Sequence, residues 1–336
     1  MKKNISLKDC PNVATYEAFC KAYSHLLLKR NIMVSVSGGS DSDIMMDFLI
    51  RAAKEYNIPL SRFRFVFFDT GIESKATKDH LTLLENKYSI QIERCRAKVP
   101  VPLGCKKYGL PFISKFVSQM IERLQNHNFD FKNDGNKSFE ELTKKYPKMI
   151  GALTWWCNAY PAQEGKKSVF NIDNNKYLKE FMIENPPTFK ISAKCCNGAK
   201  KDTSHDWEKS NLVDCKCIGL RRAEGGVRSV AIKSCWDDTK NIAQYRPIFW
   251  FTDKDKEEYE KAYGVVHSDM YVEYGFKRTG CCGCPYNSKC DEELRQLELY
   301  EPMLVKAVKN IFGESYEYKR KYLEFKENKK GMKNGK

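Results

Sequence analysis

The sequence predicts an α/β fold: a Rossmann-like parallel sheet with helices on both faces, a helical insertion and a helical C-terminal extension. Two patterns support this class. Short apolar runs rich in β-branched residues alternate with segments of helical periodicity in the N-terminal part of the chain. The first apolar run leads directly into a glycine-rich turn. Alternating strands and helices favour a parallel sheet, and such sheets bind ligands at the carboxyl ends of their strands.

The predicted elements follow one another along the chain. Residues 31–36 form a short apolar strand, and apolar positions recur with helical spacing from Asp43 to about Asn57. The nearly continuous apolar run at 63–68 is typical of a strand that is covered on both faces. A helix over about 74–88 and a strand over 89–94 complete the unit. Weaker patterns predict a helix over 113–124, strands over 218–220 and 229–232, and helices beyond Cys290.

Composition indicates a folded chain with an anionic partner. Hydrophobic residues make up 42% and charged residues 30% of the 336 residues, close to globular averages, which disfavours a disordered or fibrous chain. No apolar run is long enough to span a membrane and the N-terminus lacks an apolar signal core, so we expect a cytoplasmic protein without a membrane partner. The net charge of +15 favours a nucleotide, sulfate or nucleic acid as partner.

Residues 37–42 have the sequence SGGSDS and form the turn between the first predicted strand and helix. Small residues, backbone amides and hydroxyls at a helix N-terminus favour phosphate binding, because exposed N–H groups and the helix dipole attract anions. The turn does not match the Walker A pattern, since no Gly-Lys-Ser/Thr closes it. The alternative is a plain tight turn built from turn-forming residues.

This turn resembles the SGGxDS pyrophosphate loop of the adenine nucleotide α-hydrolase superfamily. Four later blocks narrow the resemblance to the phosphoadenosine phosphosulfate (PAPS) reductase family. They are FFDTG at 67–71, GLRRAE at 219–224, RPIFW at 246–250 and YGFKRTGC at 274–281. Five ordered blocks over about residues 34–285 are not expected by chance.

The resemblance implies that the loop binds the phosphates of ATP, or of adenylyl sulfate (APS) or PAPS, together with Mg²⁺. One departure is Gly225, which stands where the family usually has a serine after the glutamate. An arginine suits sulfate or phosphate because it donates bidentate, charge-assisted hydrogen bonds, although each arginine taken singly also fits a surface ion pair. The resemblance assigns catalytic roles to Asp41, Arg221, Arg228 and Arg278. It assigns nucleotide binding to Ser37, Gly38, Gly39, Ser40, Asp41, Ser42, Asp69, Thr70, Gly71, Gly219, Arg221 and Glu224.

The chain contains 14 cysteines, and in a reducing compartment clustered thiols more often bind metal than form disulfides. The pairs Cys195-Cys196 and Cys281-x-x-Cys284 resemble the ligand set of the four-iron four-sulfur (4Fe-4S) cluster of APS reductases. PAPS-specific reductases lack this pattern. We therefore expect these four residues to hold such a cluster, and a four-cysteine zinc site is the alternative. Cys282 and Cys290 are substitute ligands, whereas Cys157, Cys215 and Cys217 lie outside the preferred set.

Three functions are compatible with these motifs. The preferred one is ATP-dependent sulfur transfer, in which an acceptor oxygen is adenylated and sulfur from a donor such as a cysteine desulfurase displaces AMP. The second is reduction of APS or PAPS to sulfite by a thioredoxin-like reductant. No cysteine follows Cys290, so the thiol that family reductases carry in a C-terminal segment has no counterpart here. The third is a non-catalytic sensor of nucleotide or redox state.

The basic charge also fits a nucleic-acid acceptor, because each neutralised phosphate releases counterions. Aromatic residues interleave with the basic C-terminal residues, where they either stack on bases or pack the apolar face of a helix. They are Tyr316, Tyr318, Tyr322 and Phe325.

We divide the chain into three parts. An N-terminal helical segment covers 1–24, a pyrophosphate-loop domain covers 25–290, and a basic helical extension covers 291–336. Within the domain, a helical insertion spans about 101–187 and a cysteine-rich region spans 195–290. In the insertion, Trp155 and Trp156 are predicted to be a packed aromatic anchor rather than the lining of a pocket.

Overall fold

The computed structural model describes residues 5–161, 168–225 and 231–334. Within these ranges the strands form one six-stranded sheet in the order β3-β2-β1-β4-β6-β5. All neighbouring strands are parallel except β5, which runs antiparallel to β6. This mostly parallel sheet confirms the predicted α/β class. The strands are β1 (Ile32–Val36), β2 (Phe63–Asp69), β3 (Ile92–Arg96), β4 (Cys215–Ile218), β5 (Trp236–Asp237) and β6 (Ala243–Tyr245).

Helices of very different length accompany the sheet. A π-helical turn at Asn197–Lys201 joins α9 to α10. The α-helices of the described residues are α1 (Val13–Leu26), α2 (Ser40–Glu55), α3 (Lys75–Tyr88), α4 (Val101–Tyr108), α5 (Lys115–Asn126), α6 (Phe139–Lys145), α7 (Ile150–Trp156), α8 (Leu178–Glu184), α9 (Lys194–Cys196), α10 (Asp202–Ser210), α11 (Asp253–Tyr263), α12 (Asp269–Val272), α13 (Cys290–Tyr300) and α14 (Pro302–Asn334). None of them is long and apolar enough to cross a bilayer.

The chain divides into two compact units. The sheet unit comprises Met1–Lys98 and Lys200–Cys282, and it contains the whole sheet. The central strands β1 and β2 are buried on both faces. Val34 and Phe65 pack into the larger core with the apolar side of α2, whereas Met33 and Val66 pack on the other side of the sheet. This two-sided burial explains why the apolar run of β2 shows no alternation with polar residues.

The helical unit comprises Val99–Ala199 and Gly283–Lys336. Trp155 and Trp156 are fully buried in its core, and Trp156 Nε1 donates a hydrogen bond to the carbonyl of Gly135 at 3.0 Å. The predicted aromatic anchor is therefore confirmed. Tyr318 and Tyr322 of α14 are buried in the same core, and their hydroxyls donate to backbone carbonyls at 2.7 and 2.8 Å. The base-stacking hypothesis is wrong for these two residues, because buried rings cannot stack on bases.

Element boundaries differ from the predicted ones where backbone geometry intervenes. The third strand begins at Ile92 rather than at residue 89, because Ser89 adopts a left-handed conformation that ends α3. The strand predicted at 218–220 lies earlier, at Cys215–Ile218. The strand predicted at 229–232 is wrong in its described part, since Ala231 is helical and Ile232 is not in a strand; residues 229 and 230 lie outside the described residues.

Candidate functional site

The SGGSDS segment leaves β1 and enters α2 through a tight turn. Gly38 has φ +67°, and a Cβ there would lie 2.9 Å from Thr77 Cγ2, so both conformation and space require glycine. The helix begins at Ser40 with Gly39 as N-cap. Two serine hydroxyls of the turn accept hydrogen bonds from its own backbone. The N–H of Ser37 donates to Ser42 Oγ at 2.9 Å, and the N–H of Gly39 donates to Ser37 Oγ at 3.3 Å.

Asp41 lies in the first turn of α2 between two cations. Arg221 Nε is 3.0 Å from both carboxylate oxygens, and Lys256 Nζ is 2.9 Å from Oδ1. Lys256 also donates to Ser40 Oγ at 2.6 Å. Burial acts to raise the pKa of Asp41, but a hydrogen bond with Glu224 and the charges of Lys256 and Arg221 outweigh it and lower that pKa. The carboxylate is therefore ionised, and two cations are held at the helix N-terminus.

Lys256 is a site residue that the sequence analysis missed. It lies in the charged helix α11, and no local signal distinguishes it from Lys254 and Lys261 on the same helix. Its place follows from the packing of α11 beside the loop. A second missed contact is Asp253, which accepts a hydrogen bond from Arg221 Nη1 at 2.8 Å.

Gly219 follows β4 and passes directly over the start of α2. A Cβ at this position would lie 2.8 Å from the carbonyl oxygen of Asp41 and 3.0 Å from Ser42 Cα. Backbone contacts of this kind leave no room for a side chain. Glu224 is exposed and closes a short 3₁₀ turn (Arg222–Glu224) in the same segment.

The second predicted nucleotide loop follows β2. The N–H of Gly71 donates to Asp69 Oδ1 at 2.8 Å, and Thr70 Oγ1 donates to Glu73 Oε1 at 2.6 Å. Thr70 Oγ1 also accepts a hydrogen bond from Cys281 Sγ at 3.5 Å. Glu73 was not predicted. Burial raises the pKa of this carboxyl against the opposing effects of Lys200 and Thr70.

A cavity of about 350 Å³ opens at the carboxyl ends of β1, β2 and β4. The strand order reverses at β1, and this is the position at which open α/β sheets bind ligands. Apolar side chains form part of the lining, and three lysines and two glutamates form another part, in which Lys216 pairs with Glu208. The lining residues are Ser35, Val36, Ser37, Phe67, Phe68, Glu73, Lys200, Lys201, Ser204, His205, Glu208, Lys216, Ile218, Thr279 and Gly280.

A polar network lies beneath the loop, around the fully buried Asp43. Its Oδ2 is 2.9 Å from His267 Nδ1 and 3.1 Å from His80 Nε2, and His267 Nε2 is 2.9 Å from Glu260 Oε1. Burial acts to lower the pKa of His267, but hydrogen bonds and charges of Asp43 and Glu260 raise it to about 9. At neutral pH His267 is therefore a cation, and it balances the buried carboxylate.

The other two predicted catalytic arginines have no contact with the loop that the structure describes. Arg278 is exposed in the sheet unit. Arg228 lies outside the described residues. Arg221 is thus the predicted catalytic arginine that the structure places beside the loop.

The predicted cluster ligands fall in different units. Cys195, Cys196 and Cys284 belong to the helical unit, whereas Cys281 belongs to the sheet unit and donates to Thr70. In the helical unit, the pKa of Cys195 is raised, mainly by a hydrogen bond with Cys105. Burial and the nearby Cys284 also raise this pKa, whereas a hydrogen bond with Cys196 lowers it. Within the described residues, no group of three or more His, Cys, Asp or Glu side chains is arranged around a common metal position.

The segment that carries Cys284 is held by α14. Tyr316 donates its hydroxyl proton to the carbonyl of Gly283, and Lys319 Nζ donates to the carbonyls of Pro285 and Asn287 at 2.9 and 2.6 Å. Among the other cysteines, Cys282 and Cys290 are buried, Cys157 is half-buried, and Cys215 and Cys217 are buried within β4.

One comparison with known proteins finds a family match over the part of the chain that contains the loop. Residues 31–114 match the model of the phosphoadenosine phosphosulfate reductase domain. This part of the chain, which contains the SGGSDS turn, is therefore similar to a PAPS reductase domain. The comparison with curated proteins found no match.

Three solved structures resemble the chain at low identity. PAPS reductase from Candida auris in a phosphate complex has 11% identity and a TM-score of 0.42, over 84% of this chain and 98% of that chain. FMN adenylyltransferase from Candida glabrata has 11% identity and a TM-score of 0.42, over 83% and 66%. The U34-tRNA thiolase NcsA from Methanococcus maripaludis, with its [4Fe-4S] cluster, has 13% identity and a TM-score of 0.39, over 94% and 80%.

Proposed function

We propose that the sheet unit binds an adenine nucleotide, with its phosphates on residues 37–42 and its base in the 350 Å³ cavity. The observation that carries this proposal is the pair of cations at the start of α2. Lys256 and Arg221 contact Ser40 and Asp41, so positive charge and helix N–H groups lie together beside the cavity. Phosphate binding needs both. Asp69, Thr70 and Gly71 line the neighbouring turn, where the resemblance assigns them to the nucleotide.

The reaction we propose is adenylyl transfer from ATP followed by sulfur transfer. An acceptor oxygen attacks the α-phosphorus and the bond to the β-phosphate breaks, which releases pyrophosphate with Mg²⁺. A sulfur nucleophile then attacks the activated carbon, and AMP leaves with the former acceptor oxygen. Lys256 and Arg221 stabilise the charge that develops on the pyrophosphate, because they are positioned before the reaction begins. With a persulfide donor, the terminal sulfur attacks and leaves the acceptor joined to the donor by an S–S bond; a second thiol then attacks the donor sulfur of that bond, which forms a disulfide and releases the thiolated product. A cluster-bound sulfide would supply sulfur with no S–S bond to cleave.

The direct test compares two lysines of α11. Lys256→Met removes the ammonium group next to Ser40, whereas Lys254→Met removes an ammonium group that is 83% exposed on the same helix. We expect the dissociation constant for MgATP to rise about tenfold to a hundredfold in the first variant, the usual range for a lost charge-assisted hydrogen bond, and to stay unchanged in the second. Equal effects in both variants, measured by calorimetry, would contradict the proposed phosphate site.

Reduction of a sulfonucleotide is the second candidate, and the match of residues 31–114 to the PAPS reductase domain favours it. The two reactions differ in their products. Pyrophosphate formed from ATP supports adenylyl transfer, whereas sulfite formed from APS or PAPS with a dithiol reductant supports reduction. Both products can be measured on the same preparation of the full chain.

We further propose a 4Fe-4S cluster on the thiols of the helical unit, whose binding would have to draw together side chains that share no metal position in the described residues. Cys195, Cys196 and Cys284 are the predicted ligands there, and Cys105 is the thiol hydrogen-bonded to Cys195. When bound, such a cluster supplies an electron or a labile sulfide. Iron, acid-labile sulfide and zinc are measured on anaerobically purified protein; zinc without iron would refute the cluster.

Serine variants identify the ligands of this cluster. Cys195→Ser should lower the iron content, and Cys20→Ser, which changes an exposed thiol of α1, should not. The iron contents of Cys281→Ser and Cys105→Ser are then compared. Loss of iron in Cys281→Ser alone supports the fourth ligand predicted from the sequence, and loss in Cys105→Ser alone supports Cys105 instead.

A further inference from the structure

The hydroxyl of Tyr271 lies on the phosphate loop itself. It accepts hydrogen bonds from the N–H of Ser40 at 3.2 Å and from the N–H of Thr279 at 3.1 Å. It also donates towards Thr279 Oγ1 at 3.4 Å. Two backbone donors from distant parts of the sequence therefore converge on one oxygen, and the donor and both acceptor positions of the phenol are used.

This oxygen stands where an anionic oxygen would bind. Ser40 is the first residue of α2, and N–H groups in the first helical turn are the groups that hold phosphates. Lys256 Nζ lies 2.6 Å from Ser40 Oγ, so a cation is adjacent. Hydrogen bonds to an ionised oxygen are roughly twice as strong as those to a neutral one. A phosphate oxygen is therefore the better acceptor for the same two N–H groups.

The segment that carries Tyr271 packs closely on the loop, and two of its glycines lie in open surroundings. A Cβ on Gly39 would lie 2.9 Å from Thr279 Oγ1 and 3.4 Å from the Tyr271 hydroxyl. Gly275 has φ +70°, and neither Gly275 nor Gly280 has another group within 4 Å of its Cβ position. Tyr271 itself is only partly buried, so its side chain has a solvent-facing side to turn towards.

We infer that Tyr271 is an internal competitor for the phosphate: a bound phosphate oxygen takes over the N–H groups of Ser40 and Thr279, and the phenol turns away. This inference rests on the proposed function, since it uses the same loop. It means that Thr279 N–H is part of the phosphate site. It also gives the loop selectivity, because a ligand without an anionic oxygen gains nothing by displacing Tyr271.

Tyr271→Phe tests the competition, with inorganic pyrophosphate and ATP as probes. Removal of the hydroxyl leaves the two N–H groups without their acceptor, so we expect the dissociation constant for pyrophosphate to fall about fivefold, the ratio that one ordinary hydrogen bond represents. Val272→Ala changes an exposed side chain on the same short helix and should leave the constant unchanged. An unchanged or weakened affinity in Tyr271→Phe, with melting temperature near wild type, overturns the inference.

A second measurement follows Tyr271 in the wild-type chain. Nitration by tetranitromethane, located by peptide mass spectrometry, should increase at Tyr271 when pyrophosphate is added, because the displaced phenol becomes accessible. Protection of Tyr271 by pyrophosphate would refute displacement. If ATP binds no better than pyrophosphate, the proposed adenine pocket fails while the inference on Tyr271 stands. If neither ligand binds either protein, both fail.

Discussion

At the scale of single residues, the loop depends on charges that compensate one another in buried surroundings. Asp41 is kept ionised by Arg221 and Lys256, and Asp43, two residues further along the same helical turn, faces His267 and His80. The two carboxylates thus have separate partners. Because a buried charge without a partner is costly, removing one member of either set is expected to affect both folding and ligand binding.

Stability should depend on pH through His267. Its pKa is raised from 6.5 to about 9 in the folded chain by Asp43 and Glu260, which face it from α2 and α11. A raised folded pKa contributes stability that is fully present below pH 6.5 and is lost as the pH rises to about 9. We expect a loss on the order of 1–3 kcal/mol in the free energy of unfolding, measured by urea titration. His267→Gln should flatten this dependence; an unchanged slope in that variant would argue against the assignment.

Gly219→Ala should distort the SGGSDS loop, although Gly219 belongs to another segment of the chain. The new methyl group would lie 2.8 Å from the carbonyl oxygen of Asp41, so the backbone of α2 or of the segment after β4 must shift. We expect a destabilisation of about 1–3 kcal/mol, typical of overpacking, together with weaker MgATP binding. Gly313→Ala is the control for MgATP binding, because Gly313 belongs to the helical unit and no group lies within 4 Å of its Cβ position. Full affinity and stability in Gly219→Ala would show that the two segments are not tightly packed.

At the scale of elements, α14 has a structural role that differs from the nucleic-acid contact its sequence suggests. Its sequence is basic and aromatic, but Tyr316, Tyr318 and Tyr322 are buried, and Tyr316 and Lys319 bond the segment that carries Cys284. The helix therefore acts as a support for the helical unit. The cations that remain exposed on it account for part of the net charge.

Gly313 is a weak point in α14. It lies within the helix with no group within 4 Å of its Cβ position, so alanine fits without strain. Gly313→Ala should stabilise the helical unit by about 0.5–1 kcal/mol, because alanine loses less backbone entropy than glycine in a helix interior. Gly331→Ala, close to the end of the same helix, should have a smaller effect in thermal denaturation. A destabilised Gly313→Ala variant would mean that this helix face is covered.

At the scale of the whole molecule, the two units carry different chemistry. The sheet unit holds the loop, the cavity and their charged groups, and the helical unit holds Cys105, Cys195, Cys196 and Cys284. The proposed nucleotide site and the proposed cluster can thus be tested separately. The net charge of +15 is compatible with either a nucleotide or a nucleic acid, so it does not choose the acceptor.

MgATP should protect the sheet unit from hydrogen exchange. At a concentration one hundred times its dissociation constant, a ligand stabilises the state that it binds by about 2.7 kcal/mol. We expect slower exchange at the amides of β1 and α2, read by mass spectrometry, and a smaller effect in Lys256→Met at the same concentration. Slowing restricted to the helical unit would place the nucleotide elsewhere.

Periodicity and turn chemistry are properties of adjacent residues, so the sequence was enough to predict the order β1-α2-β2-α3-β3 and the phosphate loop. It could not identify Lys256, Glu73 or Tyr271 as neighbours of the loop and cavity. Each comes from another segment, and each looks locally like any other lysine, glutamate or tyrosine. Tertiary packing alone decided that Cys105 lies beside Cys195 and that the tyrosines of α14 are buried, since long-range contacts depend on how helices pack and not on any local pattern.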